Sequence, residues 1–181
     1  HLAPESQSYH GLDLAAEALV VARQSLPTEL QGAEHIEFTQ GDALQLATIA
    51  AKPDALVILN SVIQYFPDLD YLKNVLLQAL RITHEEGVIY LGDVRSLDEL
   101  AAFHTSVQFF KASPMASVAE IRQQIHRDLA AEKELCLSFR YFHAFNTLFG
   151  TTRKISLELK RGKRSNELND FRYDVIISKR E

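Results

Sequence analysis

Ala55-Leu56-Val57-Ile58-Leu59 is an unbroken apolar run, and Asn60-Ser61 stops it abruptly. A strand with one wet face alternates apolar and polar residues, so a run without alternation predicts a parallel strand buried on both faces. Downstream, Pro67-Asp68 opens a helix with the stripe Leu69, Leu72, Val75, Leu76, Ala79 and Leu80, and Gly87 marks its stop. Val88-Ile89-Tyr90-Leu91 is the next buried strand, ending at Gly92-Asp93. Upstream, Tyr9-His10-Gly11-Leu12-Asp13 reads as a strand that breaks at an acid. Leu14, Ala18, Leu19, Ala22 and Leu26 then recur at helical spacing until Pro27. His35 to Thr39 alternates as a strand with Gly41-Asp42 as its turn, and Leu44 to Ala51 is a short helix stopped before Pro53.

From Leu97 to Leu135 the pattern is mainly helical with a break at Ser113-Pro114, and an aromatic-rich segment runs from Phe139 to Phe149. Ile155-Ser156-Leu157-Glu158-Leu159 and Tyr173-Asp174-Val175-Ile176-Ile177 are strands joined by a polar loop too short for a crossover helix, so they must pair antiparallel. This order predicts an α/β fold with a mostly parallel sheet, one reversed strand near an edge and a C-terminal antiparallel hairpin, in a single domain over 1–181.

A net charge of -5 removes the simple electrostatic case for a nucleic-acid partner, because phosphate binding draws on clustered Lys and Arg. The one basic run, Lys160-Arg161-Gly162-Lys163-Arg164, reads as a solvated loop. A lone cysteine, Cys136, rules out an internal disulfide framework, and its apolar neighbours suit an inert packed thiol. The seven histidines are dispersed without metal-ligand spacing, so no metal is expected. No apolar run approaches the ~20 residues that span a bilayer. The expectation is a cytoplasmic protein without a membrane partner.

In an open α/β sheet the ligand lies outside the carboxyl ends of the strands. Here those ends are Asp13, Asp42, Asn60 and Asp93. An acid at Asp13 suits two ribose hydroxyls, and Asp42 followed by the small Ala43 suits an adenine amine. Each acid is also accounted for by local structure, Asp13 as a helix N-cap and Asp42 as a turn residue.

Tyr9-His10-Gly11-Leu12-Asp13-Leu14-Ala15, Gly41-Asp42-Ala43 and Leu59-Asn60-Ser61-Val62-Ile63-Gln64-Tyr65-Phe66-Pro67 resemble strand ends of Rossmann-like S-adenosylmethionine-dependent methyltransferases. The last of these, with Leu91 to Ser96, Ala102 to Gln108, and the tail strings Lys160-Arg161-Gly162, Asn166-Glu167-Leu168 and Phe171 to Val175, resembles the methyltransferase domains embedded in nonribosomal peptide synthetases. The resemblance implies S-adenosyl-L-methionine as cofactor, with Asp13 and its neighbour Leu14 at the ribose and Asp42 and Ala43 flanking the adenine. Asn60, Ser61 and Gln64 would sit near the methionine part or the substrate entrance. It also implies N-methylation of a carrier-bound aminoacyl or peptidyl group in nonribosomal peptide or hybrid polyketide synthesis, with neighbouring synthetase domains as partners. O- or C-methylation, or a non-catalytic module derived from the fold, are the alternatives. The family's first strand and glycine-rich loop are expected ahead of His1; without that strand, those ending at Asp13 and Asn60 would face each other across a gap.

Methyl transfer is an in-line displacement in which positioning dominates. The accepting amine must be neutral, so Asp93, His104 or Tyr65 could take its proton. His104 could equally be packed between helices, and Asp93 could cap and pair with Arg95. Tyr65 and Phe66 suit a sulfonium-lining pocket or a plain core. Arg172 and Asp174 are expected to stabilise the closing hairpin. A nicotinamide-dependent oxidoreductase also fits an acid after the second strand, but not the terminal hairpin.

Overall fold

The computed structural model describes residues 2–52, 54–163 and 166–179. The chain divides into two compact units, His1–Ile49 and Ala50–Glu181.

In the first unit, β1 (Tyr9–Asp13) and β2 (Ile36–Gln40) pair in parallel, Tyr9 opposite Ile36 and Asp13 opposite Gln40, with α1 (Ala16–Gln24) connecting them. Gly11 sits where a side chain would collide with the Phe38 ring: a Cβ there would lie 2.6 Å from it. The helix starts two residues later than its apolar spacing suggested, because the Asp13 carboxylate accepts the Ala15 N–H at 2.8 Å and holds Leu14 in a turn. Only Leu19 of α1 is buried; Leu14, expected in the stripe, is 72% exposed. The expected helix after Asp42 is a 3-10 turn, Ala43–Thr48.

The second unit holds a four-stranded sheet in the order β3 (Leu56–Asn60), β4 (Val88–Arg95), β6 (Arg172–Ser178), β5 (Lys154–Leu159). β3 and β4 run parallel, whereas β6 is antiparallel to both β4 and β5. The predicted hairpin and reversed strand are therefore present. α2 (Leu69–Thr83) packs on β3 and β4, begun by Asp68, whose carboxylate accepts the Tyr71 N–H at 2.8 Å. Its buried stripe is Leu72, Val75, Leu76, Ala79, Ile82 and Thr83; the helix stops there, with His84 left-handed, before Gly87. Each fully buried Leu of that stripe stabilises the unit by roughly 1.5–3 kcal/mol. α3 (Leu100–Lys111) and α4 (Val118–Ala130) pack on each other, α5 (Arg140–Leu148) carries buried Phe142 and Phe145, and α6 (Glu167–Asp170) is one turn before β6.

One expectation fails at β3. Val57 and Leu59 are buried, but Leu56 is 54% and Ile58 41% exposed, so the strand is covered on one face. β3 is an edge of its sheet, as β1 is of the other, and an apolar run alone does not reveal that position. Among the described residues no helix is long and apolar enough to cross a membrane.

Candidate functional site

The first unit brings two of the predicted acids to one end of one sheet. Asp13 closes β1 opposite Gln40, and Asp42 follows two residues later. The Gly41 N–H donates to the Asp13 carbonyl at 2.9 Å, fixing the turn that carries Asp42. Each carboxylate spends one oxygen locally: Asp13 Oδ1 on Ala15 N–H at 2.8 Å, Asp42 Oδ1 on Leu44 N–H at 3.0 Å. Asp42 is the turn residue expected, whereas Asp13 closes a turn ahead of α1 and does not cap it, the N-cap being Ala15; Oδ2 of each acid is left without a hydrogen bond among the described residues. Two such acceptors beside a small Ala43 and an exposed Leu14 fit the hydroxyls, amine and apolar face of a nucleoside. A concavity of about 330 Å³ in this unit lies elsewhere, among Leu26, Leu30, Ala33 and Ile36 at the start of β2.

In the second unit the strand ends interlock. Asn60 closes β3, and its amide lies over the bare Cα of Gly92 on β4, where a Cβ would come within 1.9 Å of Asn60 Oδ1. The next residues on both strands are left-handed, Ser61 with φ 56° and Asp93 with φ 59°. Such backbone costs a non-glycine residue on the order of 1 kcal/mol and persists only where surroundings over-determine it. They do so here. Ser61 N–H donates to the Gly92 carbonyl at 3.0 Å, and the Ser61 hydroxyl donates to Asp93 Oδ2. Asp93 N–H donates to Asp174 Oδ1 at 2.9 Å, and Lys160 Nζ stands 2.6 Å from both Asp93 Oδ1 and Asp174 Oδ1. Gln64, buried in the turn after Ser61, donates from Nε2 to the Ser61 carbonyl at 3.1 Å, while its Oε1 is buried without a partner among the described residues.

Burial pushes the Asp93 carboxyl up, but hydrogen bonds from Lys160 and Ser61, with the positive charge of Arg172, outweigh it and hold the group below its ordinary value. Burial likewise opposes the Lys160 ammonium, and the two carboxylates reverse that, raising it. Neutral Tyr90 is favoured by burial and then by Asp174. Lys160 is therefore no part of a solvated loop, although its neighbour Arg161 is, with a side chain 89% exposed. Arg164 lies outside the described residues.

Asp93 does not pair with Arg95. Arg95 instead lies between Glu132 at 3.1 Å and Glu134 at 2.7 Å, with its guanidinium 5.0 Å from the Phe103 ring centre. His104 is buried on α3, its Nε2 3.3 Å from Glu132 Oε2 but not aligned as a hydrogen bond. Burial pushes Glu132 up, yet the Glu134 N–H, Arg95 and His104 hold it below its ordinary value. Cys136 beside this cluster is half-buried, which raises its thiol. Tyr65 is 73% exposed, excluding it from the core, whereas Phe66 packs edge-on against Tyr71. Asp174 serves more than the hairpin, and Arg172 pairs with Glu167 at 2.6 Å.

The methyltransferase domain family matches residues 1–144. The chain is 35% identical to chondramide synthase of Chondromyces crocatus over 176 residues, 97% of this chain and 4% of that synthase. It is 29% identical to a nonribosomal peptide synthetase of Penicillium thymicola over 173 residues, 94% of this chain and 6% of that one. It thus spans only a small part of either synthetase. Among solved structures, the N-methyltransferase NodS from Bradyrhizobium japonicum WM9, in complex with S-adenosyl-L-homocysteine, matches with a TM-score of 0.59 at 14% identity, over 99% of this chain and 70% of that one. An identity so low speaks for the fold, and the family match speaks for the class. The chain belongs to the methyltransferase domain family and has the Rossmann-like fold of S-adenosylmethionine-dependent methyltransferases.

Proposed function

We propose that residues 1–181 act as one cytoplasmic methyltransferase domain of a nonribosomal peptide or hybrid synthetase, methylating the amine of an aminoacyl or peptidyl group held as a carrier-bound thioester. The observation that carries the cofactor assignment is the pair of spare carboxylate oxygens, on Asp13 and Asp42, at one end of β1 and β2. The synthetase setting draws its support from similarity to chondramide synthase and the Penicillium synthetase. S-adenosylmethionine supplies an electrophilic methyl group on a sulfonium. In this reading Asp13 Oδ2 accepts from the ribose, Asp42 Oδ2 accepts from the adenine amine, and Ala43 and Leu14 give the base apolar room. Asn60, Ser61 and Gln64 serve the methionine part and the acceptor entrance, with exposed Tyr65 at that entrance. The acceptor amine attacks only when neutral, and His104, backed by the anionic Glu132, takes its proton. Asp93, with both oxygens already engaged, contributes charge rather than proton acceptance.

Isothermal titration of the intact protein with S-adenosylmethionine and with NAD, followed by label transfer from methyl-labelled S-adenosylmethionine to a leucyl thioester of a pantetheine analogue, tests the reading. Binding of S-adenosylmethionine alone and a labelled N-methyl product are expected. Binding of the dinucleotide alone would sink the cofactor assignment, and label only on oxygen or carbon would sink the amine.

A further inference from the structure

The tail strings that resemble the synthetase-embedded domains converge on one point. Lys160 follows β5, Asp174 lies on β6, and both meet Asp93 at the irregularity within β4, which in turn receives the Ser61 hydroxyl from just after β3. The part of the connection just before β6, residues 166–171, is itself tied down. Asn166 caps α6 by accepting the Asn169 N–H at 3.0 Å, Glu167 pairs with Arg172 at 2.6 Å, and Phe171 stacks edge-on with Phe103 at 5.4 Å. One cation thus faces two carboxylates with little water, its side chain 18% exposed against 16% and 14% for its partners. Such a bridge holds its geometry only while the cation is present, because two unpaired carboxylates at that spacing repel.

We propose that Lys160 is a positioning residue of methyl transfer: acting through Asp93, it locks the left-handed residues Ser61, after β3, and Asp93, within β4, so that the Asn60–Gln64 turn keeps the shape that the methionine part and the acceptor require. The inference rests on the function proposed above and goes beyond it by assigning the terminal hairpin a part in the site. It makes Asp93 a fixed anionic anchor. The groups facing that anchor are Ser61 after β3, Tyr90 on β4, Lys160 after β5, and Arg172 and Asp174 on β6. With Lys160 neutralised, burial and the Asp174 charge push the Asp93 carboxyl up.

The test compares wild type, Lys160→Met, Lys160→Arg and the double variant Lys160→Met/Asp174→Asn in the intact protein. Thermal denaturation, S-adenosyl-L-homocysteine affinity, and kcat and KM with a leucyl N-acetylcysteamine thioester are measured. Lys160→Met is expected to lower kcat about tenfold or more and to weaken S-adenosyl-L-homocysteine, whose amino-acid part the turn receives, and Lys160→Arg to restore most of both. If Lys160→Met does not fold, the double variant removes the repulsion and carries the same expectation for kcat. A folded variant lacking Lys160 with wild-type kcat and wild-type S-adenosyl-L-homocysteine affinity would overturn the inference while leaving the function intact. A wild type that binds no S-adenosyl-L-homocysteine would instead overturn the function on which it rests.

Discussion

Asp13→Asn isolates the role of one oxygen. In the wild type Oδ1 is committed to Ala15 N–H at 2.8 Å, and Oδ2 is the acceptor assigned to the ribose. Asparagine retains a carbonyl for the Ala15 N–H but loses the charge and presents an NH2 group toward a hydroxyl that needs an acceptor. A hydrogen bond to a charged group contributes about 1.5–3 kcal/mol, so affinity for S-adenosyl-L-homocysteine should fall roughly 10- to 150-fold. Stability should change by no more than about 0.5 kcal/mol, because Asp13 is exposed and that bond survives. Isothermal titration reads the affinity and thermal denaturation reads the fold. An Asp13→Asn protein that binds S-adenosyl-L-homocysteine within twofold of wild type, with an unchanged melting temperature, would refute the ribose assignment.

Gly92→Ala would place a Cβ 1.9 Å from Asn60 Oδ1 and 2.9 Å from a Tyr90 ring carbon, so the Asn60 amide must swing away. Denaturation should show a loss of about 1 kcal/mol, and steady-state kinetics a larger loss in kcat/KM than that figure accounts for. Arg153→Met removes donors to the Gly87 carbonyl at 2.7 Å and the Thr83 hydroxyl at 3.2 Å, both buried beneath the end of α2. It should cost about 2 kcal/mol or more and lower the melting temperature by several degrees, with nucleoside affinity intact. In acid, the stabilisation from Asp93 should be lost as pH falls below its ordinary value of 3.8, because the folded carboxyl lies lower still. The Lys160 contribution is present below 10.5 and lost as pH rises above it, because the folded ammonium lies higher. Denaturation across pH in wild type and Lys160→Met reads both limbs.

Two strand stops were legible because a polar residue ending an apolar run has a direct structural cause: Asp13 and Asn60 close β1 and β3 as expected, whereas β4 does not stop at Gly92-Asp93 but runs on, with an irregularity between Leu91 and Val94, to Arg95. The hairpin was legible for a similar reason, since the polar loop before β6 leaves no length for a crossover. Less visible was which face of β3 is covered. Leu56 and Val57 are equally apolar, but alternation turns them to opposite faces of β3, of which only one is covered. The start of α1 was missed because the Asp13 side chain accepts the Ala15 N–H and holds Leu14 in a turn ahead of the helix. Arg95 was matched to Asp93 on proximity in sequence, but the left-handed turn at Asp93 breaks the strand's alternation and Arg95 finds Glu132 and Glu134. Lys160 was hidden for another reason. A lysine among arginines and a glycine looks solvated until the strand pairing brings Asp174 and Asp93 to it, and only the tail strings hinted that this loop mattered.

Crystallography of the intact protein with S-adenosyl-L-homocysteine tests the central claim most directly. The account predicts the ribose within hydrogen-bond distance of Asp13 Oδ2 and the adenine amine on Asp42 Oδ2 beside Ala43. A nucleoside bound away from both carboxylates, with Asp13 and Asp42 contacting only solvent, would contradict it.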